Sequence, residues 1–271
     1  MKTLYVTDLD GTLLRSDQKT SAYTNEVINR LVDRGVLFSY ATARSYHTSH
    51  KVTAGMTAAF PLIVYNGVFV RDNATGKTLI SNILEKDSAT AIIKKLISSG
   101  IQPIVYSLIN DEEKFSYIKP AINRATQEFI DTRKGDRRDH PVSTIEELLE
   151  GDPFYITCID EPSKLAPFNE LYKNDYHCVY QSDIYSGEQW LEIMSPNACK
   201  SAAARQLMKL LDCDRLVVFG DGMNDTDMFM IADESYAVSN AVPELKNIAT
   251  GVIGSNDEDG VARWLEANVR D

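Results

Sequence analysis

The sequence has few cysteines and no long apolar run. Its four cysteines, in 271 residues, show no Cys-x-x-Cys spacing, and their irregular placement disfavours a disulfide framework. No apolar run approaches the about 18 residues that a membrane helix needs. The segment from Met1 to Asp8 reaches a carboxylate too early to contain the apolar region of a signal peptide. We therefore expect a cytoplasmic protein without a membrane partner.

Positive charge is also scarce. Lysine and arginine number 28 against 39 aspartates and glutamates, which gives a formal net charge of −11. This balance argues against a general nucleic-acid or anionic-membrane surface. An anionic small-molecule substrate must then be held by a few local cations or by a metal ion. Hydrophobic residues make up 44% of the chain, as is ordinary for a globular protein, and the length permits one long domain or two.

Short apolar runs alternate with helical patterns at both ends of the chain. Runs at residues 4–6, 36–40 and 62–65 predict buried strands, and apolar residues at helical spacing predict a helix near 24–34. The alternation returns after residue 188 with an Ala-rich helix at 200–211 and a strand at 216–219. This order indicates an α/β fold, a Rossmann-like parallel sheet wound with helices.

The pattern differs between these two segments. Residues 89–99 and 164–173 read as helices, whereas 102–106, 155–159 and 177–181 read as strands. We predict a core domain formed by residues 1–83 and 188–271. An inserted α+β domain would span residues 84–187.

Several polar residues stand directly after a predicted strand or at a helix start. In a wound parallel sheet, ligands bind outside the carboxyl ends of the strands, so we expect these distant residues to meet at one sheet edge. They are Asp8, Asp10, Thr42, Lys200, Asp221 and Asp225.

The four aspartates of this group suggest a metal site. Carboxylates packed together repel one another, and burying them is costly unless a cation compensates them. Mg²⁺ accepts a few carboxylates together with water and phosphate oxygens. Lys200 would oppose the helix dipole in the first turn of its helix, which indicates another reason for its presence. Lys200 and Thr42 could hold the remaining phosphate oxygens.

These residues resemble the motifs of the haloacid dehalogenase superfamily. Asp8-Leu9-Asp10-Gly11-Thr12 matches its first motif, Thr42 the second, Lys200 the third and residues 220–225, Gly-Asp-Gly-Met-Asn-Asp, the fourth. The inserted domain lies where the type IIB (Cof-type) members carry their cap, and Asn66-Gly67 and Asn240-Ala241 are similar to the Cof-type pattern. Thr42-Ala43-Arg44 departs from the family's usual Thr-Gly-Arg.

The resemblance implies a two-step phosphoryl transfer. Asp8 would attack phosphorus, and Asp10 would protonate the leaving oxygen and then activate water. Mg²⁺ would be held by the Asp8 carboxylate, the Asp10 backbone carbonyl and Asp221, with support from Asp225. The phosphoryl oxygens would be held by Thr42, Lys200, Asn224 and backbone amides near Leu9 and Ala43.

Other interpretations remain open from the sequence. Arg44 could contact phosphate or form a surface salt bridge, and Asn66-Gly67 could be a hairpin turn or a contact to the cap. We expect hydrolysis of a phosphomonoester of a small cytoplasmic metabolite, such as a sugar phosphate, and no nucleic-acid partner. A phosphomutase of the same superfamily and, from another class, a phospho-accepting signalling receiver are the alternatives. In receivers, however, the phospho-acceptor belongs to a middle strand and no such insert occurs.

Overall fold

The chain folds into two units, each with its own sheet. A computed structural model describes residues 1–182 and 187–269. Unit 1 consists of Met1–Ser81 and Cys199–Asp271, and unit 2 of Asn82–Ala198. In chain order the strands are β1 Thr3–Asp8, β2 Leu37–Ala41, β3 Pro61–Val64, β4 Phe69–Asp72, β5 Thr78–Ser81, β6 Ile104–Ile109, β7 Glu112–Ile118, β8 Asp139–Val142, β9 Asp152–Asp160, β10 His177–Ser182, β11 Gln189–Met194, β12 Arg215–Gly220, β13 Glu234–Val238 and β14 Gly251–Ile253.

The helices of unit 1 occur in both of its segments, and those of unit 2 lie between them. In chain order they are α1 Ala22–Asp33, α2 Tyr46–Val52, α3 Lys86–Ser98, α4 Arg124–Asp131, α5 Ile145–Leu148, α6 Pro162–Tyr172, α7 Lys200–Leu211, α8 Thr226–Ile231, α9 Pro243–Ile248 and α10 Gly260–Asn268. In the described part of the chain, no helix combines the length and the apolar character that crossing a membrane requires.

Unit 1 contains an eight-stranded sheet with β1 near its middle. The strand order is β14-β13-β12-β1-β2-β3-β4-β5, with parallel pairing from β14 to β3 and antiparallel pairing from β3 to β5. Leu216, Val217, Val218 and Phe219 of β12 are all buried, as expected for an inner strand of a parallel sheet that is covered on both faces. The predicted wound parallel sheet is confirmed.

The Asn66-Gly67 segment is the turn of a hairpin between β3 and β4, as its sequence suggested. Tyr65 and Asn66 both adopt left-handed backbone conformations, and Gly67 has φ +106°. A Cβ atom at Gly67 would lie 2.4 Å from the carbonyl oxygen of Cys199. Glycine is therefore required here, because the turn lies directly against the residue that precedes α7.

Unit 2 is an α+β unit built on a six-stranded sheet. Its order is β10-β11-β9-β6-β7-β8, and all neighbours are antiparallel except β7 and β8. Its buried apolar cluster includes Ile93 and Leu96 of α3, Leu165 of α6, and Leu191 and Ile193 of β11. The helices and the sheet of unit 2 thus form a hydrophobic core that consists of residues of this unit.

The return from unit 2 to unit 1 comes later than residue 188. Strand β11, Gln189–Met194, pairs with β9 on one side and with β10 on the other, so its backbone hydrogen bonds belong to the second sheet. Its tryptophan and alternating residues gave no sign in the sequence of which sheet it joins. The division of roles between a catalytic core and a specificity cap stays a prediction.

A carboxylic acid lies on an inner strand of unit 2. Glu192 of β11 stands opposite Thr157 of β9 and Val179 of β10. Burial raises the pKa of Glu192 to about 7 from its ordinary 4.5, and a hydrogen bond from Tyr155 opposes this rise only in part. In the folded state this side chain is therefore protonated in a pH range where the unfolded chain is ionised.

We expect replacement of Glu192 by Gln to change how the stability of unit 2 depends on pH. Between pH 4.5 and about 7 the folded state binds more protons at this site than the unfolded state, so the wild-type free energy of unfolding falls as pH rises. The loss amounts to at most about 3 kcal/mol. The free energy of unfolding of Glu192→Gln, taken relative to that of wild type, should therefore be higher at pH 8 than at pH 5. Scanning calorimetry at the two pH values measures this difference.

Glu146→Gln, a change at an exposed glutamate of α5, is the control for removing one acid from unit 2 by the same substitution. Equal differences between Glu192→Gln and wild type at the two pH values would contradict the assignment.

Candidate active site

Asp8 is the last residue of β1, at the carboxyl edge of the parallel sheet. Its strand lies between β12 and β2, and Asp8 itself is paired with Ala41. The chain then turns through Leu9–Leu13, and the Leu14 amide closes the turn by donating to the Leu9 carbonyl at 2.8 Å. The residues after Asp8 therefore start at the carboxyl edge of the sheet, where wound parallel sheets bind their ligands.

Lys200 joins two carboxylates at this edge. Its Nζ donates to Asp8 Oδ1 and, at 2.7 Å, to Asp225 Oδ1. The side-chain exposures are 4% for Lys200, 6% for Asp8 and 0% for Asp225. Lys200 is the first residue of α7, so the position of the ammonium group depends on where that helix begins. Three residues distant in sequence thus meet in one buried ion cluster.

The ionisation of this cluster reflects burial and mutual repulsion. Burial raises the pKa of Asp8 well above its usual range, Lys200 opposes that rise, and Asp225 adds to it. For Lys200 itself, burial would lower the pKa, but Asp225 and Asp8 outweigh burial and raise it. The lysine is therefore held in its charged form next to two acids that compete for it.

Asp221 is the third acid of the cluster. It follows β12, and its Oδ1 accepts a hydrogen bond of 2.9 Å from Thr12 Oγ1. Burial, followed by repulsion from Asp225, raises the pKa of Asp221 to about 6. Gly11 has φ +75°, and a Cβ atom there would lie 2.4 Å from Asp221 Oδ2. The turn Leu9–Leu13, called the first-motif turn below, and the loop after β12 that carries Asp221 thus pack too closely for any side chain at Gly11.

Asp225 organises the loop that carries Asp221. Its Oδ2 accepts the backbone N–H groups of Asp221 at 3.1 Å and Gly222 at 3.2 Å, while Oδ1 faces Lys200. One carboxylate thereby fixes the loop after β12 and the lysine of α7. Such a fully bonded buried acid is a structural requirement of the site as well as a candidate ligand.

The donor set fits Mg²⁺. Asp8, Asp221 and Asp225 each offer a carboxylate oxygen, and these atoms lie within 4.8 Å of one another. Three ionised carboxylates with one lysine leave two negative charges uncompensated, which a divalent cation would neutralise. Oxygen donors are the ligands that Mg²⁺ prefers. Asp10 does not contribute its carboxylate to this group, and its predicted contribution through the backbone carbonyl stays a prediction.

Thr42 lies in a loop fixed by the hairpin that follows. Its amide donates to the Ile63 carbonyl at 3.0 Å, and its own carbonyl accepts from the Asn66 amide at 2.9 Å. Thr42 Oγ1 accepts from the Arg44 amide at 3.1 Å. The side chain is buried at the end of β2, next to the end of β1.

Arg44 forms an ion pair with Asp10. Its Nε lies 3.1 Å from Asp10 Oδ1 and 2.9 Å from Oδ2, and its Nη2 lies 2.6 Å from Oδ1. Of the two interpretations that the sequence allowed for Arg44, the structure thus gives a salt bridge, and its partner is the predicted acid–base residue. Sequence spacing could not identify this partner, because the two residues belong to different strand ends.

The other predicted phosphate contacts lie on the same loops. Leu9 is buried and begins the first-motif turn, Ala43 is exposed between Thr42 and Arg44, and Asn224 is exposed after Asp221. Their roles as phosphate ligands stay predictions.

Two asparagines that reinforce the site had weak sequence signals. Asn240 Nδ2 donates to the Gly11 carbonyl at 2.8 Å, and Asn240 Oδ1 accepts from the Asn256 amide at 3.0 Å. Asn256 Nδ2 in turn donates to the Leu14 carbonyl at 3.0 Å. In the sequence, Asn240 is marked only by its similarity to the Cof-type pattern, and Asn256 carries no local signal. Both tie the first-motif turn to the C-terminal part of unit 1.

One family of known proteins matches almost the whole chain. The family described as haloacid dehalogenase-like hydrolase matches residues 5–265. A Bacillus subtilis protein named 5-amino-6-(5-phospho-D-ribitylamino)uracil phosphatase is 29% identical over 96% of this chain and 95% of its own length. A Yersinia enterocolitica protein named HMP-PP phosphatase is 26% identical over 96% of this chain and 92% of its own length.

Solved structures share the fold. A Thermotoga maritima protein has a TM-score of 0.80 and 24% identity, covering 100% of this chain and 99% of that one. A sugar phosphatase described as haloacid dehalogenase subclass IIB has a TM-score of 0.71 and 16% identity, with 98% of each chain covered. These likenesses extend over both units of the chain.

We expect Mg²⁺ to stabilise unit 1 through the acidic cluster. At a hundredfold excess over its dissociation constant, a ligand that binds only the folded state adds about 2.7 kcal/mol, so the melting temperature of unit 1 should rise by roughly 5–10 °C. Asp221→Asn should weaken this response, because it removes one of the clustered carboxylates. Thermal unfolding at increasing Mg²⁺ concentration measures the effect without any assay of activity.

Asp227→Asn is the matched control, because Asp227 is an exposed acid of α8 only two residues after Asp225. It should retain the wild-type response. If Asp221→Asn and wild type respond equally to Mg²⁺, Asp221 is not a ligand.

Proposed function

The chain belongs to the haloacid dehalogenase-like hydrolases and is a phosphatase of the Cof type; from this premise we propose that it hydrolyses phosphomonoesters through an aspartyl phosphate on Asp8. The observation that carries the proposal is the buried cluster in which Lys200 contacts Asp8 at the end of β1. A carboxylate at a sheet edge, with a cation beside it, is suited to attack an anionic phosphate.

The first step forms a phosphoenzyme. An Asp8 carboxylate oxygen attacks phosphorus, the bond from phosphorus to the ester oxygen breaks, and Asp10 gives its proton to the leaving oxygen. In the second step Asp10 takes a proton from water, and the water oxygen attacks phosphorus. The bond from phosphorus to Asp8 then breaks, which releases inorganic phosphate and restores both aspartates.

The phosphoryl oxygens are held by groups on three loops and at the start of α7. Lys200 supplies positive charge and Thr42 a hydroxyl, while Asn224 and the amides near Leu9 and Ala43 supply neutral donors. Preorganised donors of this kind stabilise charge that develops in the transition state, because they need not reorient during the reaction.

Mg²⁺ would be held by the carboxylates of Asp8, Asp221 and Asp225 together with the Asp10 carbonyl. When bound, it offsets the negative charge of the phosphate and of the acids around it. Lys200 alone balances one of the three carboxylates, so the remaining charge would otherwise oppose the approach of a dianion.

The substrate class is a phosphorylated small metabolite, and a sugar phosphate or a related polyol phosphate is the best candidate. Two Bacillus subtilis relatives, 29% and 25% identical, are named as phosphatases of a phosphoribitylamino uracil, whose phosphate is carried by a ribityl group. One structural relative is described as a sugar phosphatase. We assign selection of the substrate to unit 2, because the proposed phosphoryl-transfer residues belong to unit 1.

A panel of phosphate monoesters tests this assignment. The purified enzyme should release inorganic phosphate from sugar and polyol phosphates in the presence of Mg²⁺, with values of kcat/KM that differ between them. Transfer of the phosphoryl group to another position of the same sugar, without free phosphate, would indicate a phosphomutase. Absence of release from the entire sugar and polyol group, with release from other monoesters, would reject the substrate class but not the reaction.

Substitution of the two first-motif aspartates should separate the steps of the reaction. Asp8→Asn removes the nucleophile, so turnover and covalent labelling should both disappear. Asp10→Asn retains the nucleophile but loses the acid and base, so turnover should fall by about 10²–10⁴-fold. It should still label slowly with p-nitrophenyl phosphate, whose leaving group needs no proton.

Mass spectrometry of acid-quenched enzyme locates the label. A phosphoryl group found on any residue other than Asp8 would refute the assignment of the nucleophile.

A further inference from the structure

The backbone of Arg44, which pairs with Asp10, is anchored by hydrogen bonds. Besides the three contacts of its guanidinium with the carboxylate, Arg44 is held through its backbone, because its carbonyl accepts from the Tyr65 amide at 2.9 Å. Its amide donates to Thr42 Oγ1. The guanidinium therefore extends from a segment that is tied to the hairpin turn and to the end of β2.

Asp10 has much less support of its own. Its side chain is 51% exposed, whereas that of Arg44 is 24% exposed and that of Asp8 is 6% exposed. An exposed aspartate on a turn can occupy several rotamers, and holding it in one of them costs conformational entropy. A guanidinium whose donors engage both carboxylate oxygens fixes the plane of the carboxylate as well as its position.

Stability does not account for this pair. Ion pairs that are this exposed contribute about 0–1 kcal/mol to folding, because both partners remain solvated. An acid–base residue, in contrast, needs a defined orientation, because misplacement by about 1 Å can cost about a hundredfold in rate. The ion pair thus affects the rate of the reaction far more than the free energy of unfolding.

We infer that Arg44 is a positioning residue that orients Asp10 for proton transfer. The inference rests on the proposed function, since it assigns Arg44 to the two steps in which Asp10 exchanges a proton. Arg44 acts through Asp10 and not by contact with the phosphate. Loss of the Arg44 side chain should therefore slow both half-reactions. This lowers kcat and has little effect on KM.

A double-mutant cycle tests whether Arg44 works through Asp10. The variants are Arg44→Ala, Asp10→Asn and the double substitution, assayed with Mg²⁺ on phenyl phosphate and p-nitrophenyl phosphate. Arg44→Ala should lower kcat on phenyl phosphate by roughly 10- to 100-fold. In the Asp10→Asn background the same change should have almost no further effect, because the residue that it orients no longer transfers protons.

The leaving group supplies a second readout. Phenoxide is more basic than p-nitrophenoxide and depends more on a proton donor, so Arg44→Ala should reduce kcat/KM for phenyl phosphate more than for p-nitrophenyl phosphate. With p-nitrophenyl phosphate, whose first step needs no proton donor, slower hydrolysis of the intermediate should also raise the fraction of phosphorylated Asp8 in quenched samples. Arg44→Lys, which keeps the charge but loses the planar fork, should recover only part of the activity.

Arg30→Ala is the matched control, because Arg30 pairs with Glu266 in unit 1 at a similar exposure of 35%. It should leave the preference between the two aryl phosphates unchanged. Losses that multiply in the double variant, or a rise in KM with kcat preserved, would overturn the inference and indicate direct binding of phosphate by Arg44.

Failure of the proposed function would look different. Turnover by Asp8→Asn, or a wild-type enzyme without a phosphorylated aspartate, would remove the premise whatever Arg44 does. If Arg44→Ala folds poorly, the comparison of Arg44→Lys with wild type carries the same test of leaving-group preference.

Discussion

The sharing of one lysine between two buried acids is the interaction on which the site depends. Lys200 contacts both Asp8 and Asp225, and all three side chains are almost inaccessible to water. Burying three charges is costly unless they are paired, and removing one partner of such a cluster typically costs about 3–5 kcal/mol. The end of β1, the start of α7 and the loop after β12 are therefore held in one arrangement by electrostatics as much as by apolar packing.

This arrangement leaves little room between the loops that carry it. The Gly11 position approaches Asp221, and the Gly67 position approaches the backbone just before Lys200. The absence of a side chain at Gly11 leaves room for Asp221, and its absence at Gly67 leaves room for the backbone that leads into Lys200. Both charged residues can therefore lie at the edge of the sheet. The backbone thus sets the separation of the acids before any ligand binds, which is the preorganisation that phosphoryl transfer requires.

The sequence predicted the wound sheet with its inserted unit, and it predicted that Asp8, Lys200, Asp221 and Asp225 lie close together. Strand ends, helix starts and acidic motifs leave local signals, which is why these positions could be located; the chemical roles of the site residues stay predictions. The end of the insert was harder to place: the alternation in Gln189–Met194 identifies a strand but not the sheet that it joins. The partner of Arg44 and the link from Thr12 to Asp221 depend on how separate loops pack. The raised pKa of Glu192 reflects burial, which local patterning does not define.

The separation of Asp8 from Lys200 by 192 positions has a consequence for biosynthesis. During translation β1 can pair with β2 early, but its other neighbour, β12, leaves the ribosome only after unit 2 is complete. Until then Asp8 has no ammonium partner and is better left hydrated than buried. Unit 2, a continuous segment, can fold in the meantime. The nascent chain would therefore keep an open sheet edge for much of its synthesis, a state in which chaperones that shield unpaired strands would be most useful.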